Sequence, residues 1–206
     1  KGHTTIIVGD AGGALGVLSV SDVLRPGAKA LIGKLRSRGI KKLVMLTGDN
    51  ERAAKAISDE LGLDGFYAEL MPEDKVRILT ELQAAGGKVA MVGDGINDAP
   101  ALAAADLGIA MGGGGTDVAI ETADVVLISS ELGKLSYAIG LARATVGNMK
   151  QNIYFALLVA VLLLAGVLVK TVNLSFGMLV HEVSVLLVII NAVRLLGYGR
   201  VASRNR

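Results

Sequence analysis

Residues 92–102 read VGDGINDAPAL, gathering Asp94, Asn97 and Asp98 with two glycines in one short stretch. The apolar run KVAMV leads directly into them, so the string reads as a buried strand that ends on carboxylates. A carboxylate at a strand end can project into a crevice, and glycines let the backbone approach a ligand closely. A second Asp four residues on, opening a helix, can converge on the same point. Paired carboxylates on a rigid edge are hard oxygen ligands suited to Mg2+, which neutralises phosphoryl oxygens. Taken singly, Asp94 reads equally as a turn residue and Asp98 as a helix N-cap.

The stretch TGDN, residues 47–50, repeats the pattern after the apolar run LVML. The Thr47 hydroxyl and the Gly48 amide can donate to a phosphoryl oxygen, and Asp49 is the acidic member of the same candidate catalytic group. The alternative is an ordinary Asp/Asn turn and helix cap. MPEDKVRIL places Lys75 in the first turns of a helix after Pro72. Its ammonium is a point charge able to stabilise a phosphoryl group in transfer. An isolated surface lysine is ordinarily just solvated; the place of Lys75 between two acidic turns makes it a candidate.

The elements that must hold these residues alternate. Residues 4–8 and 14–20 read as a hairpin. A helix follows on Ala28, Leu31, Ile32 and Leu35, with Pro26 near its start and Gly39 at its end. Then come strand LVML, helix ERAAKAISDELG, strand GFYAEL, helix MPEDKVRILTELQAAGG, strand KVAMVGDG, a helix from NDAPALAAA, strands LGIAMG and ADVVLI, and a long helix from ELGKLS. Strands apolar on both faces imply a parallel sheet covered by helices, with ligands beyond the carboxyl ends of its strands. Residues 1–147 therefore read as an open α/β domain.

The end of the chain is of another kind. Residues 153–169 are 17 in a row without charge, and residues 176–196 are apolar apart from His181, Glu182, Asn191, Arg194 and a few small residues. A bilayer core of ~30 Å needs about 20 apolar helical residues. The two runs, about 153–170 and 175–197, read as a transmembrane helical hairpin in a second domain, 148–206, that ends in a basic tail. The alternative is a pair of buried helices in a soluble core. Arg143 and Lys150 precede the first run, while Arg194, Arg200, Arg204 and Arg206 close the second, which places both ends in the cytoplasm. Net charge is +2 and gives no case for nucleic-acid binding; the absence of Cys excludes disulfides and thiolate metal sites. The chain starts at Lys1, in what reads as a strand already under way, and is expected to be a piece of a longer protein.

MLTGDN, MPEDK and VGDGINDAPALAAADLGIAMGGGGTDVAIETADVVL together resemble the P-type cation-transporting ATPases, whose phosphorylation domain has the haloacid-dehalogenase-like fold. Asp22 and Arg25 stand in that family's Asp-x-x-Arg-Pro position, and the two apolar runs resemble the last membrane pair of its heavy-metal subfamily. The resemblance implies Asp94 as Mg2+ ligand, with Asp98 and Asn97 supporting the metal and phosphate. It implies Thr47 and Gly48 at the phosphoryl group and Lys75 stabilising its charge. ATP would phosphorylate an aspartate, and hydrolysis of that acyl phosphate would drive transport. The family's nucleophile string, Asp-Lys-Thr-Gly-Thr, is absent, so the N-terminal part of the pump is expected to be missing and this chain alone inactive.

Ionisable groups inside a membrane span usually mark a pathway. His181 and Glu182 are a borderline ligand pair suited to a divalent transition metal such as zinc, cobalt or cadmium. The competing reading is that they cap the helix near the headgroups. The pair resembles that of cobalt- and zinc-linked pumps, although Val183, Ser184 and Val185 replace the glycines and threonine usual there. Two other functions remain open. One is a membrane-tethered phosphatase, for which Asp10 and Asp22 are the nearest early carboxylates. The other is a non-catalytic membrane fragment.

Overall fold

The computed structural model describes residues 4–10, 12–20, 24–94, 97–112 and 121–199. They fall into two compact units, Lys1–Ser136 and Tyr137–Arg206. Asp22, Gly95, Ile96, Arg200, Arg204 and Arg206 lie outside the described residues.

In the first unit, β1 (Thr4–Asp10) and β2 (Gly13–Val20) form the expected antiparallel hairpin. Helix α1 (Ala28–Ser37) buries Leu31 and Leu35, half of the apolar stripe read from the sequence, and Gly39 follows with φ 78°. Strand β3 (Val44–Leu46) runs parallel to β4 (Gly65–Tyr67), with helix α2 (Glu51–Leu61) between them in the chain. Asn50 starts α2 by accepting the Ala53 N–H at 3.0 Å, and Gly62 ends it in the left-handed conformation that glycine adopts without steric cost. Helix α3 (Pro72–Ala84) begins on its proline, where the missing N–H breaks no bond. Strand β5 (Ala90–Gly93), helix α4 (Ala99–Ala104), strand β6 (Leu107–Met111) and strand β7 (Val125–Leu127) complete a second parallel sheet in the order β5-β6-β7.

Leu79, Met91, Ala101, Leu102 and Ala110 form the core, and Leu46 of β3 packs against it. The α/β class with a parallel sheet and flanking helices is therefore present. One expectation fails in detail: β5 is not buried on both faces. Met91 is buried while Val92 is 40% exposed. Strand β5 is the edge of its sheet, and among the described residues nothing pairs with its second side.

Helix α5 (Gly133–Leu168) is 36 residues long, and from Tyr137 on it belongs to the second unit, together with the 20-residue helix α6 (Leu174–Val193) and a 3-10 turn at Arg194–Gly197. Gly147, the boundary expected from sequence, lies inside α5; no proline interrupts residues 133–168, so the helix continues. Lys170 takes a left-handed φ of 59° beyond the end of α5, and Asn173 caps α6 through the Phe176 N–H. Both helices are long and apolar enough to cross a membrane, and only 6% of the most apolar window of each is buried. That exposure rules out the alternative of two helices buried in a core of this chain.

Candidate functional site

The TGDN turn is held by backbone from the end of β4. Thr47 N–H donates to Tyr67 O at 3.0 Å, Leu70 N–H to Thr47 O at 3.1 Å and Glu69 N–H to Asp49 O at 2.8 Å. Glu69 adopts a left-handed φ of 56° to make this wrap. Within the turn, the Thr47 hydroxyl donates to Asp49 Oδ2 at 2.8 Å and accepts the Asp49 N–H at 3.1 Å. Thr47 has one hydroxyl proton and Asp49 holds it, so donation to a phosphoryl oxygen requires that proton to turn away from Asp49. The Gly48 N–H has no hydrogen-bond partner among the described residues.

The second turn is organised by one ion pair. Lys75 Nζ donates to Asp98 Oδ1 at 2.6 Å, and the side chains are only 13% and 16% exposed. Asp98 occupies the N-cap position of α4, yet its carboxylate caps nothing there. It turns instead toward α3, which decides between the two readings of this residue. Gly93 makes room for it: a Cβ at that position would lie 2.6 Å from Asp98 Oδ2. Lys75 is in turn placed by the first turn of α3, where Asp74 accepts the Met71 N–H at 3.2 Å. The Arg77 guanidinium beside Asp74, together with that N–H, holds the Asp74 carboxyl below its ordinary value.

Asp94 stands just beyond β5, exposed and without a hydrogen bond or ion pair among the described residues. Its hard, free oxygens fit Mg2+. Asp98 has one oxygen engaged by Lys75, and Asn97 is exposed. No group of three His, Cys, Asp or Glu side chains that could hold a metal occurs among the described residues, so a complete shell needs ligands from elsewhere. Asp10, a nucleophile candidate for the phosphatase reading, accepts the Gly12 N–H at 2.7 Å in the hairpin turn.

His181 and Glu182 are both exposed on α6. Consecutive helical residues diverge by about 100°, so the two side chains leave the helix in different directions. Sequence reasoning missed a polar lock between α5 and α6. Asn148 donates to Asn191 O at 2.8 Å, Asn191 to Asn152 Oδ1 at 2.8 Å, and Asn152 to Asn148 Oδ1 at 3.1 Å. Its signal was present: amides at i and i+4 before one apolar run, with a third inside the next.

A family model of haloacid dehalogenase-like hydrolases matches residues 2–106, and a second of the same description matches residues 76–139. The chain is 47% identical over 95% of its length to a zinc-transporting ATPase of Bacillus subtilis (strain 168), of which it covers 30%. It is 43% identical over 95% of its length to a cadmium-transporting ATPase of Staphylococcus aureus, of which it covers 27%. The crystal structure of a zinc-transporting PIB-type ATPase in an E2.Pi state superposes with a TM-score of 0.85 at 47% identity, over 95% of this chain and 32% of that one. The chain thus spans about a third or less of the length of these relatives.

Proposed function

From the premise that this chain belongs to the haloacid dehalogenase-like hydrolase family, we propose that it is the C-terminal part of an ATP-driven pump for a divalent heavy metal, of the P-type ATPase kind. The Lys75–Asp98 pair carries the reading. It joins the first turn of α3 to the turn that follows β5, at the carboxyl end of a parallel strand, where phosphoryl charge has to be met. Likeness to zinc- and cadmium-transporting ATPases over nearly the whole chain supports it.

In the intact pump a carboxylate contributed from outside this chain attacks the terminal phosphorus of ATP, and ADP leaves; water later cleaves the acyl phosphate. Bound Mg2+ supplies neutralisation of the phosphoryl oxygens. Asp94 is assigned as its ligand, with Asp98 and Asn97 in support. Lys75, held by Asp98, compensates charge on the group in transfer. The Gly48 amide and, once released by Asp49, the Thr47 hydroxyl donate to the phosphoryl oxygens. The hairpin lies in the membrane with both ends cytoplasmic, a reading that the excess of basic residues at that end supports. His181 and Glu182 are assigned to the transported ion, with further ligands from other helices.

Joined to the upstream part of its own gene product, the chain should give an acid-stable, hydroxylamine-sensitive phosphoprotein with ATP and Mg2+; alone it should give none. A phosphoprotein formed by the isolated chain would overturn the reading. In the joined protein, His181→Ala and Glu182→Ala should each abolish stimulation of ATP hydrolysis by zinc or cadmium. Undiminished stimulation in both variants excludes them as ligands.

A further inference from the structure

A cavity of about 560 Å3 opens at the end of the second unit where α5 and the turn after α6 meet. Asn148, Gln151 and Gly147 line it from α5, and Arg194, Gly197 and Tyr198 from the other side. Its lining residues on α5, Ala144 to Gln151, precede the uncharged run 153–169, so a bilayer around that run would bring headgroups to them. The charge here is of one sign. Arg143, Lys150 and Arg194 have no ion pair among the described residues. Glu182 is the sole acid between residues 137 and 199, and twelve residues of helix put it about 18 Å from Arg194.

We propose that this cavity holds the phosphate of an anionic phospholipid from the cytoplasmic leaflet. Charge complementarity selects an anion, and the surroundings select a lipid over a free ion. Within about one helical turn of lining residues along the chain, Ile190 is 65% exposed, Val193 55%, Leu196 75% and Tyr154 71%, apolar surface on which acyl chains can lie. Arg194 supplies the bidentate guanidinium that suits a phosphate, and the Gln151 amide, without a partner among the described residues, supplies a further donor. Tyr198 sits at headgroup level, fixed by the hydrogen bond from Tyr137 Oη to its carbonyl at 3.2 Å. A Cβ on Gly147 would meet nothing within 4 Å, so this lining position faces open space that a larger side chain could enter. The inference goes beyond the transport reading and holds whichever ion is carried.

The test is a titration of the full chain in a neutral detergent with short-chain phosphatidylglycerol, phosphatidylcholine or inorganic phosphate, counting bound molecules by native mass spectrometry. One phosphatidylglycerol should be retained per chain, with phosphatidylcholine at least tenfold weaker and inorganic phosphate not competing. Arg194→Gln should weaken retention at least fivefold. Gly147→Leu, which fills the space without changing charge and favours helix, should do the same. Lys170→Gln, at the opposite end of the hairpin, should leave it unchanged. Equal retention of both lipids would overturn the proposal, as would full retention by both cavity variants. Competition by inorganic phosphate would mark a free-anion site, and an equal loss in Lys170→Gln would mark bulk charge; either defeats it.

Discussion

Among the described residues of the first unit the large side chains that leave solvent are apolar: Leu79 and Leu102 are each 1% exposed, and Ile78 is 3%. Among residues 137–199 the buried side chains are those of Asn148 and Ser184, while Leu162 is 61% exposed and Ile190 65%. The first unit is sorted against water. The second is sorted against a solvent as apolar as leucine, where packing and interhelical hydrogen bonds are what can hold helices together. A change that removes the same atoms should therefore have unequal effects in the two units.

The largest contrast is expected from leucine truncation. Leu79→Ala should destabilise the first unit by about 2–5 kcal/mol, through lost burial and the cavity left behind. Leu162→Ala, on a helix face open to lipid, should change the stability of the hairpin by less than about 1 kcal/mol. Hydrogen exchange read separately over α3 and α5, on the full chain in neutral detergent, measures both. Equal losses would break the comparison and argue that the hairpin carries an aqueous core of its own.

Polar substitutions sharpen it. Lys75→Met leaves the Asp98 carboxylate largely buried and unpaired, which should cost about 1–3 kcal/mol. In the joined pump it should also lower phosphoprotein formation by about 10²–10³-fold. Asn191→Leu removes the hub of the asparagine lock, yet its effect should be nearer ~0.6 kcal/mol, because a helix apart in lipid also finds partners for its amides. A loss from Asn191→Leu as large as that from Lys75→Met would show that the lock is buried in protein rather than in lipid. Thermal melts of both variants followed by circular dichroism decide it.

How far these contrasts were legible in the sequence differs from element to element. The order of strands and helices follows from periodicity, because most apolar runs are bounded by a glycine, a proline or a short polar residue that stops them. Helix α5 ends at Leu168 and α6 begins at Leu174, on either side of the short linker 169–173, where the polar residues Lys170, Thr171 and Asn173 interrupt the apolar runs. Pairing between distant residues was not legible. Nothing local to Asp98 says that it abandons its own helix for Lys75, since a cap and an ion pair need the same residue at the same place. Nor does the run KVAMV reveal which sheet edge β5 occupies, so its exposed face could not be foreseen. The split of the sheet into β3-β4 and β5-β6-β7 is likewise a property of neighbours, not of composition.

The smallest effect belongs to a carboxylate whose work is wholly structural. Asp106 accepts from Lys88 Nζ at 2.6 Å, from the Val89 N–H at 3.0 Å and from Gln83 Nε2 at 3.2 Å, and so ties the start of β5 to the turn before β6. The Lys88 ammonium, then the Val89 N–H and the Gln83 amide, lower its pKa from 3.8 to about 2. The folded chain therefore binds this proton less tightly than the unfolded chain does. Its contribution is in full force above about pH 4 and drains away as pH falls toward 2. Lys88 is 91% exposed, so solvent and salt screen the pair, and the effect should be a shallow slope rather than a collapse. Asp106→Asn removes the titrating group while keeping an acceptor for the Val89 N–H. The variant should be slightly less stable than the parent at pH 6, and the difference should shrink as pH falls from 4 to 2. A constant difference across that interval would mean that Asp106 acts through shape alone and that its charge contributes nothing to the first unit.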